Sequence, residues 1–135
     1  MRAIALLASC LALVVAAPTS AQSFDEKDAV AGAELRVAIK AVLPVVFMGC
    51  PPPDDHPITI KAAEARDRYD ALKARFAGSA IAVNFVIAES ERAVGLAPCA
   101  RGVANWDPER ISRRVDYIDE KISELELAAD KLAGA

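Results

Sequence analysis

The stretch DPERISRRVDYIDEKISELELAADKLAG, residues 107–134, decides the fold. Its apolar residues fall at Ile111, Val115, Ile118, Ile122, Leu125, Ala129 and Leu132, in alternating steps of four and three. That spacing is a helical seam of the coiled-coil type. Asp107 is placed to accept hydrogen bonds from the free N–H groups of the first turn. Pro108 suits the first helical position, and Glu109 favours the positive end of the helix dipole. Gly134 stands just past the last seam residue, where a helix tends to stop. A rod of this length runs for about 39 Å. Its stripe must be covered, and the rest of the chain has to supply the cover.

Three further segments are candidates. From Ser23 or Asp25 as cap, a first helix carries Ala31, Leu35, Ile39, Val42 and Val46 on one face. Pro44 removes a backbone donor and crowds the preceding turn, so this helix is expected to kink or to end near Val42. A second helix is expected from Ile58 or Thr59 to Phe76 or Ala77, with Ala62, Ala65, Tyr69, Leu72 and Phe76 as its inner face and charges elsewhere. Asp54 or Asp55 is the expected cap. Gly78-Ser79 reads as a tight turn, the alternative being one helix running through it. From Ala80 to Ala88 the chain is apolar except for Asn84, which predicts a central buried helix continuing to Arg92.

The connections are as informative as the helices. Gly49-Cys50-Pro51-Pro52-Pro53-Asp54-Asp55-His56-Pro57 is a stiff, extended connector. Leu96 to Trp106 is a loop that holds Cys99 and Arg101. Four amphipathic segments with short links favour an all-α, up-down-up-down four-helix bundle. In that topology the first and third loops share an end, so Cys50 and Cys99 meet at one pole, within reach of a disulfide. Such a bridge is worth roughly 4 kcal/mol in the chain-entropy model.

Residues 1–21 read as a cleaved export signal. Arg2 is followed by a nearly unbroken apolar or small-residue run from Ala3 to Ala17, then Pro18 and the small residues Thr19-Ser20-Ala21 before Gln22. The alternatives are an uncleaved anchor, for which the run is short, and lipidation at Cys10, which comes too early to leave a normal apolar core before it. A single helical domain of residues 22–135 follows, expected in the periplasm or secreted. An oxidising compartment agrees with the paired cysteines.

Charge and composition narrow the function. The chain has 16 basic and 19 acidic side chains. The mature part loses only Arg2, leaving 15 basic and 19 acidic groups, net −4. That is a poor match for nucleic acid or for tight attachment to anionic lipid. No later stretch reaches membrane-spanning length without a charge, so no stable membrane insertion is expected after signal cleavage. His56 is the sole histidine. There is no Cys-x-x-Cys motif and no Gly-rich phosphate loop, and no spacing suggests a nucleophile with its base. No cofactor is implied.

No family is recognised from these residues. The reading is a non-catalytic protein that binds another envelope protein, of the chaperone, inhibitor, immunity or accessory-subunit kind. Its candidate surface is the Cys50/Cys99 pole: His56, Arg101, Trp106, Arg110, Arg113 and Arg114. Charges inverted along the last helix have three equal readings: partners in Glu89 and Glu91 at one end and in Lys73 and Arg75 at the other, a homodimer through the 107–132 helix, or scattered surface charge worth under about 1 kcal/mol per pair. The alternatives are a carrier of a small apolar ligand, in a cavity lined by Val42, Ile81, Phe85 and Ile118, or of a metal, with Asp54, Asp55 and His56 as weak candidate ligands. An enzyme using His56 with Asp54 or Asp55 is the remaining rival.

Overall fold

The computed structural model describes residues 26–49, 51–92 and 106–134. Among them the chain is all-helical, in four elements: α1 (Glu26–Val46), α2 (Pro57–Arg75), α3 (Ala82–Arg92) and α4 (Pro108–Ala133). The signal segment, both cysteines of the expected bridge and Arg101 lie outside the described residues.

The ends of α4 follow from local chemistry. Asp107 Oδ1 accepts from the Arg110 N–H at 2.8 Å, and Gly134 N–H donates to the Asp130 carbonyl at 3.0 Å. α2 begins differently from expectation. Its cap is His56, whose Nδ1 accepts from the Ile58 N–H at 3.2 Å, while Asp54 and Asp55 stay exposed in the preceding turn. A neutral imidazole offers one acceptor nitrogen, and with Pro57 at the first helical position it serves as a cap. α1 does not end near Val42, one of the two alternatives for Pro44, but continues past it to Val46. Pro44 falls in the last turn on the solvent side, where the carbonyl it leaves without a donor is that of exposed Lys40. Phe47 N–H still bonds the Leu43 carbonyl at 3.1 Å.

α2 and α3 are separated by a true turn. Gly78 adopts φ of 77°, a left-handed conformation that glycine enters without a Cβ clash. Ser79 closes the turn with its Oγ on the Phe76 carbonyl at 2.7 Å. α3 then corrects a second expectation. It is not a central buried helix: Asn84, Phe85 and Ala88 are buried, but Val83 and Val86 are 53% and 62% exposed. The helix is only 11 residues long and packs chiefly on α1, so one face lies inward and the other meets water.

Polar contacts give the helix directions. Lys61 meets Asp119 at 3.0 Å, Arg68 meets Glu126 at 2.6 Å and Arg75 meets Asp130 at 2.7 Å, so numbers rise together and α2 runs parallel to α4. Lys131 reaches Glu34 near the start of α1, so α4 runs against α1. Arg36 bonds Asn84 and Lys40 pairs with Glu91, which sets α3 parallel to α1. Direction therefore alternates from α1 to α4. The neighbours are not those of a plain up-down-up-down bundle, where consecutive helices lie side by side. α1 packs most closely on α4 and α3, α2 packs on α4, and α1 and α2 meet less extensively.

The core sits where these faces converge. Leu35, Ile39 and Val42 of α1, Tyr69 of α2, and Ile118, Ile122, Leu125 and Ala129 of α4 have no solvent exposure. Tyr69 is flanked edge-on by Phe47 and Phe85, each with ring centres 5.9 Å away. Truncating Leu125 to Ala is expected to cost roughly 2–5 kcal/mol, as for other large-to-small changes in tight cores. Leu127, two residues on and 69% exposed, should tolerate the same change within about 0.5 kcal/mol. Urea unfolding of the two variants checks the contrast.

Candidate functional site

One end of the molecule holds His56, Trp106, Arg110, Arg113 and Arg114; Arg101 and the two cysteines lie outside the described residues. The parallel course of α2 and α4 puts their N-termini, with His56 and Trp106, at the same pole. Arg92 Nη2 donates to the Phe47 carbonyl at 2.8 Å, which brings the end of α3 to the end of α1 at that pole. The connector there is tied down: Thr59 Oγ1 donates to the Pro52 carbonyl at 3.2 Å, and His56 N–H to that of Pro53 at 3.0 Å.

The start of α4 is less deeply enclosed than its middle. No residue from Trp106 to Tyr117 is fully buried, although Trp106, Ile111 and Val115 pack partly buried against the core, and full burial begins at Ile118. Along these first turns Trp106, Arg110, Arg113, Arg114 and Tyr117 line an open cleft of about 420 Å³. Residues three, four and seven apart share a helix face, which is why these side chains meet. Tyr117 is the member of the cleft that the sequence did not single out. Its position seven residues after Arg110 was the available signal.

The arginines here lack the partners expected of them. Glu89 is bound by Lys73 at 2.7 Å and Glu91 by Lys40, so neither serves α4. Among the described residues Arg110 has only Asp107, the cap of its own helix, at 3.8 Å, and Arg113 only Glu109 at 3.5 Å, both carboxylates being largely exposed. Arg114 lies over the Tyr117 ring, 5.2 Å from its centre. Such surface pairs are worth under about 1 kcal/mol and leave the guanidinium donors available. The opposite end of α4 behaves as expected, with Asp130 on Arg75.

A second surface feature went unread in the sequence. α1 carries an outward stripe of Val30, Ala33, Val37 and Ala41, opposite its core face. With Ala38, Glu34, Lys121 and Glu124 it lines a shallow groove of about 580 Å³. Neither this groove nor the arginine cleft is lined by Val42, Ile81, Phe85 or Ile118, the expected lining of a ligand cavity; Val42, Phe85 and Ile118 are buried.

The remaining polar groups close on one another. Tyr69 donates its hydroxyl to Glu89 Oε1 at 2.6 Å, and Lys73 donates to both Glu89 oxygens. Buried Asn84 accepts from Arg36 at 2.8 Å and donates to the Ile81 carbonyl at 3.1 Å, which fixes α3 against α1. His56 engages Nδ1 in its cap, and Asp54 and Asp55 are exposed. Among the described residues, no group of three or more His, Cys, Asp or Glu is placed to hold a metal ion. No helix among them is long and apolar enough to cross a membrane.

Burial pushes the Glu89 carboxyl up, but the bonds from Lys73 and Tyr69 and the charges of Lys73 and Arg92 outweigh it, so its pKa lies below 4.5. Burial first, then the Glu89 carboxylate, raises the Tyr69 phenol above 10.0. Glu89 therefore contributes stability above about pH 4.5 that is lost as pH falls below it, and Tyr69 contributes stability that is lost as pH rises beyond about 10. Glu89→Gln should lower stability at neutral pH and flatten the acid-side decline. Thermal unfolding followed across pH reads both effects.

Compared with protein-family models, with curated proteins and with solved structures, the chain matches none.

Proposed function

We propose that this chain is an exported, non-catalytic protein that works by binding another protein of the cell envelope through the pole formed by His56, Trp106 and the first turns of α4. The observation that carries the reading is the cleft of Trp106, Arg110, Arg113, Arg114 and Tyr117, whose arginines have no carboxylate from another helix among the described residues. Tryptophan, tyrosine and arginine are the side chains most often found at the energetic centres of protein interfaces. Export rests on the N-terminal run from Ala3 to Ala17 with its small-residue boundary at Ala21. In this reading a Cys50–Cys99 disulfide ties the two loops of the pole.

The apolar groove along α1 favours a second reading, a carrier of a small apolar ligand, since its lining is mostly valine and alanine. Self-association through the 107–132 helix is a third. It would have to use the outward side of α4, where Leu127 is exposed, because the middle of the seam is enclosed by the chain's own core.

The test is crosslinked capture with a C-terminally tagged full chain expressed in its own cell envelope, beside an Arg110→Glu/Arg113→Glu variant. Both sites are exposed, so circular dichroism should show an unchanged fold. The expected result is one stoichiometric partner held by the native protein and lost from the variant. Equal capture by both would remove the pole from the account, and capture of nothing would remove protein binding.

A further inference from the structure

We propose that the cleft at the start of α4 receives an acidic peptide segment of the partner: three or four extended residues that carry carboxylates beside an aromatic or aliphatic side chain. The inference deepens the protein-binding reading and rests on it.

The kind of cation is the first argument. Between Arg92 and Arg114 the chain places five arginines, no lysine and only two carboxylates, Asp107 and Glu109, in a protein of net charge −3. A guanidinium offers a planar fork of donors that matches a carboxylate in two bonds and stacks on aromatic faces, which an ammonium does not. Arg114 already lies against the Tyr117 ring, and Trp106 completes the aromatic wall.

The second argument is charge that the chain itself does not neutralise. Arg68 and Arg75 each meet a carboxylate of α4 at 2.6 and 2.7 Å. Among the described residues, Arg110 and Arg113 have theirs only at 3.8 and 3.5 Å, beyond an ordinary charged hydrogen bond. The sequence from 93 to 105 contains no Asp or Glu, and adds Arg101. Charge complementarity then calls for carboxylates from outside.

Size and surroundings choose the source. Arg110 to Tyr117 spans about 10 Å along the helix, close to the length of three extended residues. Beyond that span α4 is acidic, with Asp119, Glu120 and Glu124. A long polyanion or a charged lipid surface would meet these groups as well as the arginines. A short acidic segment can lie on the arginines without reaching them.

Trp106 is the sole tryptophan, so its fluorescence reports directly on the cleft. The experiment titrates protein purified from cells expressing the full chain with the peptide acetyl-Asp-Glu-Phe-Glu-amide, with its Asn/Gln counterpart, and with phosphatidylglycerol vesicles. The expected result is a saturable, salt-sensitive change with the acidic peptide and affinity weaker by roughly tenfold or more for the amide version. Arg110→Glu/Arg113→Glu should lose the acidic peptide and gain one in which lysines replace the acids. Arg114→Lys, which keeps the charge but not the planar fork, should weaken binding with the fold intact. Equal response to the acidic peptide and its Asn/Gln counterpart, a response to vesicles alone, or affinity unchanged in the double variant would overturn the proposal. If a partner is captured from the envelope while the peptide fails, protein binding stands and the carboxylate class falls. If the peptide binds and no partner is captured, the reverse holds.

Discussion

The structure depends on covering the apolar stripe of α4. Ile118, Ile122, Leu125 and Ala129 are sealed on one side by α1 and on the other by α2. Burial of a Leu or Ile side chain is worth about 1.5–3 kcal/mol, so four adjoining positions outweigh any surface contact in the molecule. The ion pairs between α2 and α4 add little energy by comparison. Their value is register, because Lys61, Arg68 and Arg75 meet Asp119, Glu126 and Asp130 only when the two helices run parallel at one offset.

That register has a consequence at each pole. At one end the acidic half of α4 is matched by the basic half of α2. At the other, the first turns of α4 pack only partly against the core, and the carboxylates of α3 are taken by Lys73 and Lys40. The same charge order that opposes the helix dipole is therefore satisfied by tertiary contacts at only one end. The unsatisfied end is also where the proline connector and the last turn of α3 meet, with Phe47 held between the guanidinium groups of Arg66 and Arg92, each 4.9 Å from the ring centre.

How much of this the sequence revealed depended on periodicity. α4 was legible to its caps because seven apolar positions repeat with helical spacing and Asp107, Pro108 and Gly134 mark its ends. The 80–88 segment was misread because a short, continuous apolar run has no phase: nothing in it says that Val83 and Val86 face water while Phe85 and Ala88 face inward. The outward stripe of α1 was hidden in the same way, since Ala33 and Ala41 look neutral between two valines. His56 was missed as a cap because its acceptor depends on tautomer, and Pro44 as a helical residue because its cost falls away at an exposed last turn. In the site, Trp106 and the arginines were found by loop position and charge. Their freedom from Glu89 and Glu91 was not visible, because it follows from Lys73 and Lys40 reaching those carboxylates first.

The account's central claim is that the two connections holding Cys50 and Cys99 leave from a single pole, with residues Phe47 and Arg92 already in contact there. Mass-spectrometric mapping of unreduced peptides from the protein isolated from its own cells tests it most directly. A Cys50–Cys99 bridge within one chain is the predicted result. Free thiols at both positions, or a bridge between two chains, would contradict the account.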